Sequence, residues 1–211
     1  MITYESFKER VRSIAIVSAS KYKSVYIDFD YLLCSPAFHQ RKYYEITATK
    51  GNYKHLVGVH SELSGDEFFD KCLEGTLELD DFDFYKKGQI EKEVKGSVRQ
   101  KIQVLPIMLE MLSKVVYAEE SFKKNKIHCA FATEGNAVTV GYVLAGKPMT
   151  LLKGNELDKR KALPVELILR KKKNEMKYHQ IIQGDNLMIG KYITNIEGVI
   201  EVNRLPNRKD C

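Results

Sequence analysis

Tyr53-Lys54-His55-Leu56-Val57-Gly58-Val59-His60 and, three residues on, Ser64-Gly65-Asp66-Glu67-Phe68-Phe69-Asp70-Lys71-Cys72-Leu73-Glu74-Gly75 are the stretches on which the reading of this chain turns. The first reads as a strand. It follows Lys42–Thr49, a run of strand formers, across Lys50-Gly51-Asn52, which suits a hairpin turn. The second reads as a helix. Ser64 and Glu67 have the spacing of a capping box, Phe68, Phe69, Cys72 and Leu73 form an apolar stripe, and Gly75 is a stop signal.

Other elements follow from this pair. Phe7, Val11, Ile14 and Val17 repeat at helical spacing, predicting a helix near residues 3–19. Ser24–Leu33 holds Val25, Tyr26, Ile27, Phe29 and Tyr31 and predicts a strand. Val98, Ile102, Leu105, Leu109 and Leu112 predict a helix over about 97–117, with Pro106 a kink or the start of a second helix. Short strands are expected at 127–133, 137–144 and 149–152, separated by Glu134-Gly135-Asn136 and Ala145-Gly146-Lys147. Further strands at 164–170 and 178–183 flank a basic turn, and the tail from 203 is polar. The expectation is one α+β domain, with helices on one face of a twisted antiparallel sheet and β-rich extensions.

Composition bounds the function. The 211 residues are 44% hydrophobic and 29% charged, ordinary globular values. No apolar run approaches the ~18–20 residues of a membrane span. Residues 1–21 carry charges throughout, without the parts of a secretory signal, and the four cysteines are scattered. A cytoplasmic protein with free thiols is expected. The net charge is +6, but residues 62–83 hold nine acids against one base, so the remainder is strongly basic. That polarity fits an anionic partner at one surface, or a solvated surface with charge kept for solubility.

Four groups of residues could carry chemistry. Tyr53, Lys54, His55 and His60 offer a ring, a cation and proton donors, as phosphodiester cleavage needs. In a regular strand His55 and His60 point to opposite faces, so they share a site only if the strand distorts near Gly58. Asp28-Phe29-Asp30 has the spacing of a magnesium-binding pair but continues as strand. Thr150 and Lys153 could hold phosphate at a strand end, and Glu134 could be a carboxylate base. Lys159-Arg160-Lys161 and Arg170-Lys171-Lys172-Lys173 would contact phosphates. P-loop, serine-hydrolase and zincin motifs are absent.

The order of these motifs resembles the phage-associated barnase–EndoU–colicin–RelE-like nuclease domains. The likeness lies in Tyr53–Val59, Phe68–Gly75, Leu79–Phe82, the Val98–Leu112 helix and Thr150–Lys153, and covers about 40–155. Residues 156–211 would then be a basic β extension and polar tail. The resemblance implies an endoribonuclease that works without a metal or other cofactor, the 2′-hydroxyl attacking the adjacent phosphorus. His55 matches the family stretch, with His60, Lys54 and Lys153 as weaker catalytic candidates. Tyr53, Thr150, Arg170, Lys171, Lys172 and Lys173 are the expected RNA contacts. The expected partners are RNA and an antitoxin or immunity-type protein. The alternatives are a non-catalytic phage or defence protein that binds nucleic acid through its basic surface, and an interaction module using the acidic segment.

Overall fold

In the computed structural model, which describes residues 5–205, the first helix α1 spans Phe7–Tyr22. Ser6 accepts from the Glu9 N–H while the Glu9 carboxylate accepts from the Ser6 N–H, a capping box that closes the helix start. The helix does not give way to the strand expected at Ser24. A π-helical turn, Lys23–Ile27, extends it, and strand β1 begins only at Phe29 and runs to Cys34. Tyr22 and Tyr26 are the reason. Four residues apart, their rings stack 5.5 Å apart in the core, and the Tyr26 hydroxyl donates to the Met108 carbonyl. Helical spacing of two buried aromatics overrides their strand propensity.

Strand β2 is Tyr44–Ile46. The next stretch corrects the sequence reading. Residues 53–60 are not a strand: Asn52–Val57 is a short helix, α2. Tyr53, Leu56 and Val57 all face the core, the i, i+3, i+4 pattern of a helix. The Asn52 side chain accepts from both the N–H and the hydroxyl of Thr49, fixing the entry. Gly58, at φ +89°, ends the helix in the left-handed region. Helix α3, Gly65–Glu74, has the expected capping box and the expected glycine stop. Helix α4 runs Glu91–Met111 without interruption at Pro106, whose side chain is exposed.

Nine strands follow: β3 Tyr117–Glu120, β4 Lys123–Lys124, β5 Ile127–His128, β6 Phe131–Gly135, β7 Val138–Tyr142, β8 Pro148–Lys153, β9 Leu163–Pro164, β10 Leu167–Lys172 and β11 Gln180–Gln183. They build a five-stranded antiparallel sheet in the order β8-β7-β6-β3-β9 and a four-stranded one, β11-β10-β1-β2, with β4-β5 as a separate ribbon. The two sheets are stitched together. The Thr47 N–H donates to the Gly146 carbonyl, Val165 N–H to Val116, and Glu166 N–H to Cys34. One core joins residues of α1–α4 to Tyr31, Leu33, Tyr44 and Ile46 of one sheet and Phe131, Val140, Tyr142 and Leu151 of the other. The α+β class is borne out.

Residues after 155 are built into this body. β10 lies between β1 and β11, paired with β1 from Phe29–Lys172 to Cys34–Leu167. Helix α5, Asn186–Ile196, which the sequence reading passed over, covers the other face of the four-stranded sheet through Ile189, Tyr192 and Ile196. Helices therefore lie on both faces of that sheet, and the expected one-sided packing describes only α1–α4. Of the polar tail, 206–211 lie outside the described residues. Among the described residues no helix is long and apolar enough to cross a membrane.

Tyr53 belongs to this core. It is fully buried against Tyr22 and Phe69, and its hydroxyl donates to the Ala15 carbonyl at 2.6 Å. The expected stacking on RNA is therefore corrected: no face of the ring is open. Tyr53→Phe should lower stability by about 1 kcal/mol, the worth of one buried hydrogen bond. Urea unfolding measures it, and nucleic-acid affinity should not change.

Candidate active site

The left-handed end of α2 sits directly on α4. A β-carbon at Gly58 would come within 2.6 Å of Lys101 Cδ. Glycine thus lets the lysine stem lie flat across the turn, and Lys101 Nζ donates to the His55 carbonyl at 2.6 Å. Burial holds the Lys101 ammonium down to about 8, with the charge of Lys86 adding to the effect. Beside it, the His55 ring projects from α2 toward solvent. Desolvation lowers its pKa below the usual histidine range, and the charges of Lys101 and Lys54 lower it further. The result at neutral pH is an uncharged imidazole next to an ammonium that gives up its proton more readily than an ordinary lysine.

The flanking candidates arrange themselves around this pair. Lys54 curls under the turn and donates to the Ser61 and Leu63 carbonyls. Helices α2 and α4 both pack on β8, and Lys153, at the exposed end of that strand, donates to Gln103 Oε1 at 2.9 Å. Lys153 and the His55 turn are thus linked through one helix, α4. His60 goes elsewhere. Its Nδ1 lies 3.1 Å from the Asp83 carboxylate, its Nε2 3.7 Å from Glu62, and its ring edge meets Tyr85. His55 stands on a helix and His60 in a bridge to Asp83, so the strand parity argument does not govern them.

Thr150 is buried on β8 and faces the Gly141 backbone, three residues from Lys153 and so on the opposite side of the strand. The two do not form one phosphate clamp. In the basic run, the Arg170 guanidinium lies 4.1 Å above the Phe29 ring and donates to Gln180. Lys171 donates to the Glu175 carbonyl, Lys173 donates to the Ala48 carbonyl, and both flank the buried carboxylate of Asp30. Lys172 and Lys173 are the exposed members. Asp28 pairs with Lys23. Among the described residues no group of three or more His, Cys, Asp or Glu is placed to hold a metal ion.

Lys101 and Gln103 are absent from the sequence-based candidates. A signal for Lys101 exists: Val94, Lys101 and Met108 are seven apart on the stripe of α4 that also carries Val98 and Leu105, all four apolar members buried. A lysine interrupting an apolar stripe is the kind of local inconsistency that marks a site.

A family model, phage-Barnase-EndoU-ColicinE5/D-RelE like nuclease 4, matches residues 17–187. The chain belongs to this family. It is a nuclease of the barnase–EndoU–colicin–RelE type. No curated protein and no solved structure matches it. The family match extends well beyond the stretch at 40–155 that carries the sequence resemblance, reaching back into α1 and forward through β11 to the first turn of α5. This fits the pairing of β10 with β1, which makes both ends of the match parts of one sheet.

The Gly58 contact can be isolated by comparison. Gly58 and Gly75 both have positive φ, but nothing lies within 4 Å of a β-carbon at Gly75. Gly75→Ala should cost only the left-handed backbone term, about 1–2 kcal/mol. Gly58→Ala should cost measurably more in urea unfolding, because Lys101 must also leave its place.

Proposed function

We propose that this nuclease cleaves RNA without a metal ion, using His55 as general base and Lys101 as general acid. The observation that carries the reading is the pairing of a neutral imidazole with a partly buried ammonium of pKa about 8 at the α2–α4 contact. An RNA strand brings its own nucleophile, so the site need only move protons and hold charge. His55 takes the proton from the 2′-hydroxyl as O2′ bonds to phosphorus. The bond from phosphorus to O5′ breaks, and Lys101 gives its proton to the departing O5′. The products are a 2′,3′-cyclic phosphate and a 5′-hydroxyl. The ammonium of Lys153, at the strand end, and that of Lys54, beneath the turn, add positive charge for the phosphorane.

The surface that would meet RNA is basic, and it is also the surface that an acidic antitoxin or immunity-type protein would cover. Such a partner, and a cytoplasmic setting, belong to the same proposal.

Total RNA incubated with purified protein in excess EDTA should yield fragments ending in cyclic phosphate. His55→Ala and Lys101→Met should each lose roughly 10²–10⁴-fold in rate, the usual worth of a general acid or base. Dependence on added divalent metal, or full activity in His55→Ala, would overturn the reading. Salt-sensitive binding with no product would favour the non-catalytic alternative.

The pH dependence follows from the two shifts. The rate should climb as His55 loses its proton, below the ordinary histidine range, and fall above about pH 8 as Lys101 loses its own. Stability should move differently. The unfolded chain holds the Lys101 proton up to about pH 10.4, whereas the folded one releases it near 8. Between those values the unfolded state binds more protons, so stability rises with pH. Lys101→Met should lack this rise in thermal melts and be no less stable than the parent at pH 7.

A further inference from the structure

On the side of the five-stranded sheet away from the helices is a cavity of about 270 Å³ that the acid–base pair does not use. It lies just below the ~300 Å³ at which ligand-sized pockets begin. Tyr117, Glu134, Asn136, Asn155 and Lys159 bring their side chains to it. Register explains the grouping. Tyr117 on β3 is directly opposite Glu134 on β6, so both side chains stand on the same face. The β6–β7 turn then presents Asn136. Asn136 and Ala137 both have positive φ, 56° and 62°, the two-residue turn that a hairpin of this hand demands. Alanine carries a steric cost there that glycine would not.

The chemistry of the lining is selective. Tyr117 is 42% exposed, an open ring on which a planar group can stack. Glu134 Oε2 accepts from the Leu157 N–H at 2.9 Å, which fixes the carboxylate, while Oε1 takes no hydrogen bond among the described residues. A fixed carboxylate accepts hydrogen bonds and cannot donate them. Among the four RNA bases, only guanine offers two adjacent N–H donors, N1–H and N2–H, on its pairing edge. Asn136 and Asn155 can complete the contact to its carbonyl, and the exposed Lys159 can meet a phosphate.

Lys153 pairs in register with Val138, and the Gly154 N–H donates to the Ala137 carbonyl at 2.7 Å. Gly154, at φ +105°, then bends the chain, and Asn155 reaches the cavity. A β-carbon at Gly135 would lie 3.5 Å from Met111, the last residue of α4.

We propose that this cavity is a guanine-binding subsite of the ribonuclease. The inference rests on the ribonuclease reading but is tested apart from it. Isothermal titration of the wild-type protein with guanosine, adenosine, cytidine and uridine 3′-monophosphates needs no turnover. Guanosine monophosphate should bind at least tenfold more tightly than the other three. Glu134→Gln keeps an oxygen for the Leu157 N–H, so the loop should stay in place, and it should erase the preference. Tyr117→Ala should weaken all four nucleotides together. Equal affinities, no binding, or a preference that survives Glu134→Gln would overturn the subsite. Guanine binding by a protein that fails to cut RNA would leave the subsite standing and remove the ribonuclease. Cleavage without base preference would do the reverse.

Discussion

A β-carbon on residue 58 would occupy the space that the stem of Lys101 fills, and the contact of α2 with α4 is set at that turn. Gly58 must be glycine twice over, for its φ of +89° and for the room it leaves. Because the chain can turn there, α2 ends after one and a half turns and releases His60 into its bridge with Asp83 and the chain into α3. Because the turn is flat, α2 and α4 approach closely enough to share β8 beneath them. The same closeness strips water from Lys101 and from the near side of His55. A packing constraint thus becomes an electrostatic one, and the proposed chemistry rests on the second.

A longer-range constraint holds the frame around this contact. Strand β10 returns from far along the chain to pair with β1, placing it at the centre of the four-stranded sheet. This arrangement buries Asp30 beside Lys171 and Lys173. A buried carboxylate is costly unless it is paired, so much of the positive charge in the basic turn is committed to neutralising it. The turn that composition alone marks as a phosphate-binding patch serves chiefly to close the sheet.

Local signals in the sequence were legible where local chemistry decides the outcome. Ser64, Glu67 and Gly75 state the bounds of α3, since caps and left-handed stops involve only near neighbours. Tyr53–Val59 is harder. Its valines and tyrosine favour a strand, while Tyr53, Leu56 and Val57 have helical spacing, and only the core formed with Tyr22 and Phe69 decides between them. Helix α5 escaped notice because its buried side is narrow and Gly190 and Leu187 are exposed on the other. His55 was legible as a candidate from its motif. Its partner was not, because Lys101 lies 46 residues further on and the fold alone brings it to the His55 carbonyl. Glu134 was noticed as a carboxylate in a turn, but its pairing with Tyr117 depends on a strand register that no single segment specifies.

One environment shifts two different side chains in the same direction. Burial disfavours positive charge on any side chain, so it pushes the pKa of both His55 and Lys101 down. What differs is the starting point. A histidine begins near 6.5 and a lysine near 10.4, so lowering takes the first further below neutrality and brings the second only to about 8. At pH 7 one is therefore unprotonated and able to accept, and the other protonated and able to donate. No dedicated hydrogen bond to either ring nitrogen and no neighbouring carboxylate is needed to set the pair. The proposed pair needs only a histidine and a lysine held close together, and the Gly58 turn brings them there.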